Sequence, residues 1–123
     1  MNATCSESGN GSAVVETLTV DGVPSMTTDY HLYGRDLRIT HFCAAQNQPR
    51  LEARQIDFSK GILDFEFVDS TNLRAPDVPH LYGLEMRLLN AEHVTLTFLF
   101  EGGGKRSNEF IDLKRIGHKP STQ

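Results

Sequence analysis

His41 and Cys43 stand two positions apart, and Gln46-Asn47-Gln48-Pro49-Arg50 follows almost at once. On an extended strand such a pair points the same way, about 7 Å apart. That spacing suits two metal ligands, with His80 as the candidate third. The same pair also reads as a hydrogen-bonded imidazole beside a small buried thiol, since cysteine commonly packs as a small hydrophobe. The second reading weighs more, because scattered ligands lack the spacing of a dedicated metal motif. A nucleophilic Cys43–His41 pair would need an orienting third group, and nothing in the sequence marks one.

The polar block that follows offers two amides, Asn47 and Gln48, and a guanidinium, Arg50, able to grip a carboxylate or phosphate with two parallel hydrogen bonds. Its alternative is a turn held by amide side chains and a fixed proline. Asp69 to Gly83, carrying Asn72, Pro76, Pro79 and His80, is the longest stretch without a repeating pattern, and such a loop serves either as a binding loop or as a plain crossover. Gly102-Gly103-Gly104-Lys105 superficially suggests a phosphate loop. It leads into a strand instead of a helix N-terminus, so it reads as a turn.

The elements that must position these residues are strands. Apolar residues recur with period two almost throughout, and no segment shows a helical period over three turns. Ser12 to Val20 ends at the turn signal Asp21-Gly22. Thr27 to Tyr33 and Asp36 to Ala44 flank Gly34-Arg35 as a hairpin. Arg50 to Phe58 pairs with Ile62 to Val68, and Leu81 to Leu89 with His93 to Phe100. Glu101 to Asn108 reads as a glycine-rich connector and Glu109 to Ile116 as the last strand.

An even turn in the first hairpin puts Thr28, Tyr30, Leu32, Leu37, Ile39, His41 and Cys43 on the core face, with His31 outside. In the third hairpin Leu84, Met86 and Leu88 share a face with Val94, Leu96, Phe98 and Phe100. Leu63, Phe65 and Phe67 form the inner set of the second, with Asp64 and Glu66 outside. Its first strand changes phase between Ala53 and Ile56, which calls for a bulge near Arg54-Gln55. Parity does not place Arg50.

The fold class these patterns predict is all-β: an antiparallel up-and-down barrel of about eight strands, as one domain over residues 12–116. Residues 1–11 read as a weakly ordered start or weak first strand, and 117–123 as a disordered tail. The 123 residues carry a net charge of −4, and the nine apolar types supply 38% of them. That composition suits a single globular core. The acidic balance argues against a nucleic-acid partner, which needs clustered Lys and Arg. Late basic residues such as Lys105, Arg106 and Lys114 read as a solvated edge. No apolar run approaches the roughly 20 residues of a membrane helix. Two cysteines make no disulfide framework, and with no secretory segment after Met1 a cytoplasmic setting is expected.

Tyr30-His31-Leu32-x-Gly34, Thr40-His41-Phe42-Cys43-x-x-x-Asn47-Gln48-Pro49-Arg50, Phe65-x-Phe67-Val68-Asp69-x-Thr71-Asn72 and His80 together resemble a family of uncharacterised bacterial proteins with a lipocalin-like (calycin-type) β-barrel. The resemblance spans roughly Gly9 to Arg115. It implies that fold and a candidate pocket of His41, Asn47, Gln48, Arg50, Asn72 and His80, but no established activity. Members are often exported and longer, and this chain starts one strand in. At His80-Leu81-Tyr82 it departs from the family's His-Met-His, which weakens any metal site carried over.

The function expected is binding of a small apolar molecule inside the barrel, with an acidic group, if the molecule has one, met by Arg50. Tyr30, His41 and Cys43 would join Asn47, Gln48, Arg50, Asn72 and His80 around it. No cofactor is expected, and no membrane partner. One rival is a metal protein or enzyme using His41, Cys43 and His80. The other is a structural or interaction module, and an open sheet edge would favour a homodimer.

Overall fold

The computed structural model describes residues 1–116. The tail from Gly117 to Gln123, read from composition as disordered, lies outside the described residues. Nine strands form one sheet in chain order: β1 (Asn2–Ser8), β2 (Ala13–Val20), β3 (Val23–Tyr33), β4 (Asp36–Phe42), β5 (Gln48–Asp57), β6 (Ile62–Thr71), β7 (His80–Asn90), β8 (His93–Gly102) and β9 (Lys105–Lys114). Every neighbouring pair is antiparallel. The up-and-down, all-β architecture is therefore the one the alternation predicts.

Turn chemistry sets the connections. Asp21-Gly22 (φ 52° and 79°) and Gly103-Gly104 (φ 59° and 74°) place two successive residues in the left-handed region, as a type I′ hairpin turn requires. The glycine-rich run is thus a tight turn, and β9 begins at Lys105 instead of Glu109. Lys105 to Asn108 carry no apolar alternation because β9 is an edge strand with little to bury there. Asn2–Ser8, within the stretch read as a weak start, pair with β2 along their whole length, from Asn2 opposite Thr19 to Ser8 opposite Ala13.

Register follows the expected parity in the β3–β4 hairpin and, up to a register shift between Leu88 and Asn90, in the β7–β8 hairpin. Thr28 lies opposite His41 and Tyr30 opposite Ile39. Leu84 lies opposite Phe98 and Met86 opposite Leu96. The phase change in β5 is a register shift between Ala53 and Gln55, and a second shift falls between Arg50 and Leu51.

A single sheet buries its apolar face only by curling over it, and the twist of strands supplies the curl. Leu18, Ile39, Leu51, Leu63, Phe65, Leu81, Leu84, Leu96, Phe98 and Ile111 form one buried cluster on the concave face, flanked by Ala3, Met26, Tyr30 and Leu113. β2 and β4 to β9 contribute to it, and β1 and β3 supply flanking residues. The sheet is a curled half-barrel and not a closed shell: β1 and β9 are its two ends and do not pair among the described residues. β9 carries five charged side chains in ten residues, the usual device against further pairing at an edge.

Three expectations about faces need correction. Leu32, on the core-facing phase, is 65% exposed, because the β3–β4 tip projects beyond the curl. Phe67 is 37% exposed where β6 runs past the core toward its loop. Asp64 sits on the outer face yet is only 5% exposed, because Arg87 (2.6 Å) and Arg54 (3.7 Å) cover it.

Candidate functional site

The β1–β2, β3–β4, β5–β6 and β7–β8 turns all gather at one end of the half-barrel, and the longer loops after β4 and β6 at the other. The middle is filled: Leu84, Leu96 and Phe98 are wholly buried. Two clefts on the concave side, among the described residues, lie toward the ends.

At the end formed by the short turns, a cleft of about 560 Å³ opens onto the concave face. Its apolar wall includes Ala3, Leu37, Met86, Leu88, Val94 and Leu113, and its polar groups are Cys5, Glu16 and Tyr30, with Glu92, His93 and Arg115 at the rim. A volume in this range suits a small organic ligand, for which sites of about 300–1,000 Å³ are usual.

Glu16 is the unexpected member. On β2, Val14, Glu16 and Leu18 share one phase, so the pattern that buries Leu18 also turns the carboxylate inward. Cys5 on β1 and Thr28 on β3 lie directly opposite it. Glu16 is 5% exposed, and the Tyr30 hydroxyl donates to its Oε1 at 3.1 Å. Tyr30 is itself fixed edge-on against Phe65, ring centres 6.5 Å apart.

Burial raises the Glu16 pKa from its ordinary 4.5, the Tyr30 hydrogen bond opposing it only in part. Burial first, and then the Glu16 charge, pushes the Cys5 thiol and the Tyr30 hydroxyl upward as well. All three groups therefore hold their protons more tightly than in water. The signal that could have found Glu16 is the one used for His41, a polar residue standing in an apolar phase.

His41 occupies the middle. It is wholly buried, its Nδ1 lies 2.9 Å from the Thr28 hydroxyl, and its ring packs 5.3 Å from that of Phe98. Nε2 has no hydrogen-bond partner among the described residues. Burial lowers its pKa from 6.5 to about 4. The hydrogen-bonded core imidazole is thus the reading that fits.

Cys43 does not share that burial. β4 ends at Phe42, and Cys43 begins the loop, its N–H donating to Asn47 O (3.0 Å) and its sulfur accepting from the Ala45 N–H (3.5 Å). It is half-buried and lines a second, smaller cleft of about 340 Å³ with Leu18, Met26 and Phe100.

The remaining residues fasten loops. Asn47 is wholly buried and donates from Nδ2 to Pro79 O (3.0 Å), tying the β4–β5 loop to residues 72–79. Gln48 Oε1 accepts from Thr71 (2.7 Å) and from Asn72 Nδ2 (2.6 Å). His80, 4% exposed, has Nδ1 at 2.7 Å from Val78 O and Nε2 at 3.6 Å from Glu101. β6 runs on to Thr71, so the long loop shrinks to a crossover pinned by side chains.

Arg50 lies outside the half-barrel. Its guanidinium makes two 2.6 Å bonds to Asp69, which raise its own pKa and hold the Asp69 carboxyl below the usual range. β5 alternates without a break here, so Arg50 points away from the side that buries Pro49 and Leu51. An acidic ligand group inside the curl would not meet it. The eight candidate residues therefore do not converge: Tyr30 faces the cleft, His41 the core, Cys43 the opposite end, Asn47, Gln48, Asn72 and His80 the loops, and Arg50 the solvent.

Nor do His41, Cys43 and His80 assemble as ligands. Among the described residues no group of three or more His, Cys, Asp or Glu side chains is placed to hold a metal ion. Comparison with family models, with curated proteins and with solved structures finds no match.

Proposed function

We propose that this protein binds a small apolar molecule in the cleft between the β3–β4 and β7–β8 hairpins. The observation that carries the reading is the cleft itself: an apolar wall on the concave face, with Glu16 and Tyr30 as the few convergent polar groups such sites use. The bound molecule would cover Leu37, Met86 and Leu113 and so remove apolar surface from water, worth about 25 cal/mol per Å². The acidic ligand group anticipated for Arg50 drops out, since that side chain is engaged outside.

N-phenyl-1-naphthylamine, which fluoresces when it leaves water, tests this. The wild-type protein is expected to give a saturable enhancement. Ala3→Trp places an indole in the cleft from the free strand β1 and is expected to abolish it, with an unchanged far-ultraviolet spectrum. An undiminished enhancement in Ala3→Trp would place the probe elsewhere.

A second reading, self-association, is favoured by the β1 edge. Its sequence Asn-Ala-Thr-Cys-Ser-Glu-Ser carries a single charge, unlike β9. An edge of low charge, unpaired on its outer side among the described residues, is a template for pairing with another copy. Light scattering coupled to size exclusion checks it, a dimer being expected and a monomer at all concentrations contradicting it.

A further inference from the structure

The charges around the cleft are unequally balanced. At the rim Arg115 faces Glu92 at 3.9 Å, and His93 is paired with Asp112. On the wall, Glu16 has the Tyr30 hydroxyl as its hydrogen-bond donor, and among the described residues no Lys, Arg or His forms an ion pair with it. It is nevertheless 5% exposed and lines the cleft. A carboxylate taken out of water without a counter-ion is costly, and the cost falls when a cation is placed against it in the same low-dielectric setting.

We propose that the molecule held in the cleft is an amphiphilic amine, whose protonated nitrogen meets the Glu16 carboxylate while its hydrocarbon part lies on Leu37, Met86, Val94 and Leu113. This rests on the cleft being a binding site. Tyr30 is the positioning residue: by donating to Oε1 it holds the carboxylate in one orientation and leaves Oε2 for the ligand N–H. An acidic amphiphile would place like charges together, and a neutral one would leave Glu16 uncompensated. Cys5, opposite Glu16, contributes a neutral thiol, because burial and the neighbouring carboxylate both raise its pKa. The cleft volume of about 560 Å³ accommodates an eight-carbon chain or an aromatic amine.

The test compares octylamine, 1-octanol and octanoate as displacers of bound N-phenyl-1-naphthylamine at neutral pH and physiological salt. Octylamine is expected to displace the probe at about one-tenth the concentration of octanol, the size of one charge-assisted hydrogen bond, with octanoate weakest. In Glu16→Gln the preference for octylamine over octanol is expected to collapse, the two displacing at similar concentrations. Equal displacement by amine and alcohol in the wild type overturns the proposal. So does an amine preference that survives Glu16→Gln, since it would then come from the chain's net negative charge. Should Glu16→Gln fail to bind the probe, Glu16→Asp, with its carboxylate drawn back by one methylene, is expected to weaken octylamine several-fold and leave octanol alone. An unchanged octylamine affinity there is equally contrary. Failure of the wild type to bind the probe, or of every octyl compound to displace it, removes the cleft reading itself and the amine with it.

Discussion

The two ends of this half-barrel use polar side chains in opposite ways. At the loop end, Asn47, Gln48, Asn72 and His80 spend their hydrogen bonds on Pro79, Thr71, Val78 and each other, so residues 72–79 are held down by the β4–β5 loop. At the end with short turns, Glu16 receives one hydrogen bond from Tyr30 and has no cation beside it among the described residues. A polar group bonded from one loop to another builds structure, even where one buried atom, Asn47 Oδ1, has no hydrogen-bond partner among the described residues. One that is buried in an apolar wall with its charge unmatched is available to a ligand. Residue type alone does not separate these cases, because a histidine and two amides look more like site residues than one glutamate does.

The contrast breaks first at the shared middle. Phe98 is wholly buried, packs against His41 and Phe100, and joins both ends. Phe98→Ala is expected to cost about 3–5 kcal/mol in urea unfolding, the range for a large aromatic removed from a core. A loss under 1 kcal/mol would mean that the two ends are not packed through it.

Acid comes next. His41 takes a proton at its ordinary 6.5 when unfolded but only at about 4 when folded. Between those values the unfolded chain binds more protons, so stability falls as the pH drops, by about 3 kcal/mol over the whole window. His41→Gln is expected to remove that limb from the curve of stability against pH. A limb of the same size in His41→Gln would assign the acid sensitivity to another group.

The smallest effect belongs to the loop end. Asn47→Ala removes the bond to the carbonyl of Pro79, an exposed residue, a loss of about 0.5–1.5 kcal/mol. Faster hydrogen exchange is expected at residues 72–79, with N-phenyl-1-naphthylamine binding unchanged. Altered probe binding would show that the ends communicate.

These outcomes bear on what could be read from the chain in advance. Alternation, with an even turn in the first hairpin and a three-residue turn in the third, specified the Thr28–His41 and Leu84–Phe98 pairings and the bulge in β5, because period two leaves each side chain only one face. β1 was legible only as an alternative to a weakly ordered start, and the start of β9 not at all, since an edge strand needs little apolar patterning and is defined by the neighbour it pairs with. Asn47 donates across 32 positions to Pro79, a contact no local pattern contains. Arg50 alternates with Leu51, but the phase change a few residues on, between Ala53 and Gln55, hid which of the two phases of β5 faces inward. Glu16 was legible in phase with Leu18, but a lone glutamate in a Val/Thr-rich strand carries no motif to draw attention to it.

The central claim is that the cleft, and not the loop cluster, receives a ligand. Titration of ¹⁵N-labelled protein with octylamine, followed by amide chemical shifts, tests it most directly. The largest changes are expected at Cys5, Glu16, Tyr30, Met86 and Leu113, with Gln48, Asn72 and His80 unmoved. Changes centred on those last three residues, or none at saturating octylamine, would contradict the account.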